Sequence, residues 1–135
     1  MSLVDELLQA DAKKADELNT GVYKSKRLQK ILGKDEPVEV KIREIRTRRF
    51  NDIVATQFDG KGNVDVSRTF DAKIKTIIEG CVEPSMKDKD LQAHFNAKSA
   101  ADLVEKLFAS EVVDLSEAIE SLSVLDEVKE EDLKN

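Results

Sequence analysis

Three observations predict an α+β fold, a mainly helical single domain with a small antiparallel sheet, a peripheral N-terminal helix and an acidic C-terminal tail. Apolar residues recur at three- and four-residue steps over most of the chain, as one-sided helices require. The segment Val38–Arg43 instead alternates strictly, with Val38, Val40 and Ile42 on one side and Glu39, Lys41 and Arg43 on the other. The length of 135 residues suits one modest core. The sequence divides into an N-terminal helix or arm at 1–19, a core domain at 20–124 and an acidic, flexible tail at 125–135.

The spacing predicts a first helix over about 18 residues, with Leu3, Val4, Leu7 and Leu8 as its stripe and Ser2 as its cap. Thr20-Gly21 breaks it, a short extended piece follows at Val22–Ser25, and Lys26–Leu32 forms a helix stopped by Gly33. After the strand, Thr47 is the expected N-cap of a helix whose face is Phe50, Ile53, Val54 and Phe58. Beyond the turn at residues 59–63, Asp65 or Ser67 caps a helix carrying Phe70, Ile74, Ile77, Ile78 and Cys81, with Gly80 at its end. Pro84-Ser85 is expected to start a short helix bearing Met86, Leu91 and Phe95. Ser99 and Asp102 resemble a capping box, and Ser110 is the expected cap of a last helix with Val112, Leu115, Ile119 and Leu122 inside.

Charge is unevenly placed. Residues 21–50 hold ten Lys/Arg against four Asp/Glu, a balance of +6, whereas residues 111–135 hold nine acids against two bases, a balance of −7. An overall charge of −6 argues against a dedicated nucleic-acid binder, whose affinity comes largely from neutralising phosphates. No apolar run approaches the roughly 20 residues of a membrane span. The N-terminus does not read as a secretory signal, and the single cysteine has no disulfide partner, so the expected compartment is the cytoplasm.

Residues with chemical potential do not combine into a catalytic, metal or cofactor site. His94 and Cys81 are one each, too few for a zinc site of the usual kind. The segment 59–65 has the alternation of a calcium loop, but Lys61 is a cation and Val64 stands where the loop needs glycine. Lys41, Arg43, Arg46, Arg48 and Arg49 form a basic patch able to grip phosphates, which gives a nucleic-acid-binding regulator as one alternative reading. Few aromatics accompany it, so a solvated strand face balanced by the acidic C-terminus is the commoner explanation. That tail is either a solubilising end or an arm that covers a basic or aggregation-prone surface until a partner displaces it.

The order of segments adds a resemblance. Thr20-Gly21-Val22-Tyr23-Lys24-Ser25-Lys26-Arg27-Leu28, the strand Val38–Arg43 and the helix after it resemble the opening of phage tail assembly chaperones of the XkdN-like group. Gly80-Cys81-Val82-Glu83-Pro84, then Lys87-Asp88 and Leu91, resembles that family's glycine, valine, acidic, proline, lysine-aspartate segment. Asp102-Leu103-Val104-Glu105-Lys106-Leu107, Glu111-Val112 and Ile119-Glu120-Ser121-Leu122-Ser123 fit its closing helices. Two positions depart: Phe108-Ala109-Ser110-Glu111 replaces a frequent Leu-Pro-Gly-Glu, and Val124 replaces a glycine.

The resemblance implies a non-catalytic protein of phage or prophage tail morphogenesis, working in the bacterial cytoplasm and absent from the mature virion. Its implied partners are the tape measure protein and the tail tube protein, with a structural component retained in the virion as an alternative. Many such chaperones are also made in a longer, frameshifted form. Homo-oligomerisation stays open. The expected protein-binding residues are Leu3, Leu7 and Leu8 of the first helix and Leu115, Ile119 and Leu122 of the last, because both end helices carry apolar stripes.

Overall fold

A computed structural model describes residues 2–123. The expected acidic tail at 125–135 lies outside the described residues. Helix α1 (Leu3–Gln9) precedes strand β1 (Thr20–Ser25), helix α2 (Lys26–Leu32), strand β2 (Val38–Arg43) and helix α3 (Thr47–Ala55). Helix α4 (Val66–Gly80) runs directly into strand β3 (Cys81–Glu83), followed by α5 (Lys89–His94), α6 (Ala100–Phe108) and α7 (Val112–Ser123). The three strands form an antiparallel sheet in the order β1-β2-β3, as an α+β fold with a small sheet predicts.

The alternation of β2 explains its central place. Val40 and Ile42 are buried while Glu39, Lys41 and Arg43 face water, so one face closes on the helices and the other stays wet. Thr20 pairs with Arg43 at one end of the β1–β2 ladder and Ser25 with Val38 at the other. Across the buried face, α4 supplies Ile74 and Ile77, α6 supplies Leu103, Val104, Leu107 and Phe108, and α7 supplies Val112, Leu115 and Ile119. Helix α4 packs chiefly on α7. Gly80 permits the approach, because a Cβ there would stand 2.5 Å from Ile119 Cγ2 and 3.1 Å from the Arg43 carbonyl oxygen.

Helix ends follow side-chain chemistry with four departures from expectation. Ser2 and Asp5 form a full capping box on α1, Asp65 caps α4, and Ser99 caps α6 through the Asp102 N–H. Gly33 ends α2 in the left-handed region at φ 65°, where a side chain would be strained. The first helix, however, stops at Gln9 and a 3₁₀ turn follows at Ala12–Asp16. The apolar stripe ends at Leu8, and Asp11 turns its carboxylate onto the Lys13 N–H instead of continuing the helix. Thr47 is the first residue of α3 and not its cap; Arg46 holds the cap position and gives no side-chain bond. Consequently Phe58 lies beyond α3, where it bridges Val64 across the turn.

The short helix after Pro84 begins only at Lys89, because Asp88 captures the N–H groups of Asp90 and Leu91. Met86 is buried in the preceding turn, which Gln92 holds through a 2.9 Å bond to the Met86 carbonyl. Ser110 caps nothing: a 3₁₀ turn over Ala109–Glu111 carries the chain continuously into α7.

Candidate protein-binding surfaces

Two apolar surfaces and one basic surface stand open, and each is set by the fold around it. Helix α1 projects Leu3, Val4, Leu7 and Leu8, which are between 64% and 79% exposed, and none of its residues is buried. Among the described residues nothing covers this apolar stripe on a capped helix, as at surfaces that take a partner.

The second surface is a groove of about 300 Å³. Leu28, Ile31 and Leu32 of α2, Leu91 of α5 with Phe95 just beyond it, and Pro84, Val38 and Leu107 line it. Ile31 and Leu32 are 37% and 56% exposed, so the end of α2 presents both to the groove. The wall formed by α2 is pinned from a distance. The Glu111 carboxylate accepts the Ser25 hydroxyl at 2.6 Å and the N–H groups of Lys26 and Arg27 at 2.9 and 3.3 Å. Those N–H groups head α2 and have no partner inside the helix, so the carboxylate caps it.

The basic surface brings together part of the predicted cluster, with Arg43, Arg46 and Arg49 lining one shallow cavity. Lys41 and Arg43 extend from the wet face of β2, while Arg46, Arg48 and Arg49 surround the start of α3, all five exposed. Arg49 pairs with Glu79 at 3.1 Å; among the described residues no carboxylate lies within ion-pair distance of the other four.

The six predicted contact residues separate. Leu3, Leu7 and Leu8 are free for contact, but Leu115 and Ile119 are 0% and 1% exposed and Leu122 is half-buried. The stripe of α7 is consumed by α4 and the sheet, because the last helix is clamped in the core instead of lying at its edge. Leu115 and Ile119 thus face the core, and the groove between α2 and α5 is a further apolar surface that the sequence did not single out. Its sequence signal was the apolar pair Ile31-Leu32 at the end of α2, just before Gly33.

The two reactive side chains have local roles. Cys81 is buried, its Sγ lies 3.0 Å from the Pro84 carbonyl oxygen, and burial together with nearby Glu83 pushes its thiol up to about 12. A thiol so protonated is a poor nucleophile. His94 is exposed, edge-on to Phe95 with ring centroids 4.9 Å apart. In the turn at 59–63, the Asp59 carboxylate accepts the N–H groups of Lys61 and Asn63, which uses it as a turn residue. Among the described residues no cluster of His, Cys, Asp and Glu could hold a metal ion, and no helix is long and apolar enough to cross a membrane.

A family model described as phage XkdN-like tail assembly chaperone protein matches residues 4–135. The chain belongs to this family. It is thus a tail assembly chaperone and not an enzyme, and it interacts with components of phage tail morphogenesis. The crystal structure of the protein yqbn has a similar fold, with a TM-score of 0.56 over 78% of the chaperone and 88% of that chain at 13% identity. No curated protein matches the chaperone's sequence.

Proposed function

We propose that this chaperone holds apolar helical segments of the tape measure protein, and tail tube subunits, during tail assembly in the bacterial cytoplasm, and leaves before the virion is complete. The observation that carries the reading is the stripe Leu3, Val4, Leu7 and Leu8, exposed on a helix already formed and capped. A preformed amphipathic helix pairs with another apolar helix at little ordering cost. The groove between α2 and α5 offers a complementary mode, receiving the apolar face of a partner helix against Ile31, Leu32, Leu91 and Phe95. Both surfaces are small, which suits a carrier that must release its load.

The test is solubility. Tape measure protein from the same gene cluster should pellet when expressed alone and stay in the supernatant when this chain is co-expressed. Mass spectrometry of purified particles should then lack this chain. Its presence there at fixed stoichiometry would show a structural tail component instead.

A further inference from the structure

The end of α7 lies beside the basic surface. Leu122 packs on β1, its Cδ2 3.1 Å from where a Cβ on Gly21 would stand, and the Leu122 carbonyl accepts the Asn19 side-chain amide at 2.8 Å. Asn19 is in turn joined to Glu44 twice, donating its N–H to the carboxylate and accepting the Glu44 N–H, each at 2.8 Å. Glu44 directly follows Arg43, and the chain enters α3 three residues later. Helix α7 therefore delivers its last turn to the edge of the cluster formed by Arg43, Arg46, Arg48 and Arg49.

That cluster has unmet attraction. Arg43, Arg46 and Arg48 are exposed and without a carboxylate among the described residues, and the uncapped start of α3 adds the positive end of a helix dipole. The sequence that follows α7 is of opposite sign: Asp126, Glu127, Glu130, Glu131 and Asp132 against Lys129 alone over residues 126–132. Asp126 stands three positions past Ser123 and Asp132 nine. At roughly 3.3–3.6 Å per extended residue, these acids can reach about 10–30 Å from the end of the helix, enough to span the cluster.

We propose that residues 126–132 of this chain are the occupant of the basic face formed by Arg43, Arg46, Arg48 and the start of α3. The face is then an acid-recognising surface occupied by its own chain. The short tether favours the intramolecular contact over a second copy, and the contact weakens as salt screens it. The proposal rests on charge and attachment alone, and so stands apart from the carrier reading above.

The experiment follows backbone amide resonances of the full chain. At about 20 mM salt, the triple substitution E127Q/E130Q/E131Q should move the amides of residues 43–49. Raising the natural chain to about 500 mM salt should move the same amides in the same directions. Both effects should be independent of protein concentration. Unmoved amides at 43–49, or shifts centred elsewhere, would overturn the proposal. Shifts that appear only at high protein concentration would do so too, because they would assign the contact to a second copy. As a reciprocal check, R46E/R48E should lose the salt response and R46E/R48E/E130R/E131R should regain it; failure of the charge exchange to restore it would also count against the contact.

Discussion

Glu111 caps helix α2 across the fold, its carboxylate 2.6 Å from the Ser25 hydroxyl and 2.9 Å from the Lys26 N–H. Ser25 itself turns its oxygen to the Leu28 N–H at 3.0 Å, so two residues far apart in sequence share the open donors of one helix end. The connection fixes α2 to the turn before α7, and with it one wall of the apolar groove. Replacing Glu111 by Ala should therefore cost about 1–3 kcal/mol in urea unfolding, since part-buried donors lose a charged acceptor. Glu111→Gln should cost less, because an amide oxygen can still accept one of the bonds.

Gly80 gives a second prediction. A methyl group there meets Ile119 at 2.5 and 2.9 Å and the backbone of β2 at 3.1 Å, so α4 and α7 must separate to admit it. Gly80→Ala should destabilise by about 1–3 kcal/mol despite the better helix propensity of alanine. The double change Gly80→Ala with Ile119→Ala, which removes both obstructing atoms, should cost less than the sum of the two single changes in the same unfolding assay.

The single tyrosine and the absence of tryptophan allow a clean titration. Burial first, and then the negative charges of Glu111 and Asp114, push the Tyr23 hydroxyl up to about 12. The unfolded chain should ionise near its ordinary value of about 10. Between these values the folded state retains a proton that the unfolded state has lost, so this group's contribution to stability is complete below about pH 10 and is lost as pH rises toward about 12. Tyrosinate absorbance should show a midpoint near 12 in the folded protein and near 10 in urea; equal midpoints would place Tyr23 in water.

How much of this was legible beforehand depended on whether a signal was local. The alternation in Val38–Arg43 gave a strand with its faces assigned, and Ser2, Asp65, Ser99 and Gly33 marked helix ends by chemistry within a few residues. Thr47 and Ser110 show the limit, since a good capping residue is used only if the backbone turns into the helix there, and tertiary packing started both helices elsewhere. The exposed apolar surface was half legible. An apolar stripe shows that a helix has something to cover, but not whether the fold already covers it. Leu7 and Ile119 belong to similar stripes, and only packing makes one a surface and the other a core residue. The bond from Glu111 to α2 left no local trace at a separation of 86 residues from Ser25.

That contrast between the end helices is itself testable. Leu7→Asp with Leu8→Asp changes exposed positions and should alter stability by no more than about 0.5 kcal/mol. Ile119→Asp buries an unpaired charge and should cost more than about 4 kcal/mol, leaving little folded protein. Urea unfolding of the two variants side by side distinguishes surface from core; a large loss in the first would mean that α1 is packed in solution.

The most direct measurement of the central claim is size-exclusion chromatography of tape measure protein co-expressed with this chain, run in parallel with the Leu7→Asp/Leu8→Asp variant. Co-elution with the natural chain, and its loss with a variant that remains folded, is the result predicted for a carrier that works through the α1 stripe. Tape measure protein that stays insoluble while the natural chain elutes alone would contradict the account.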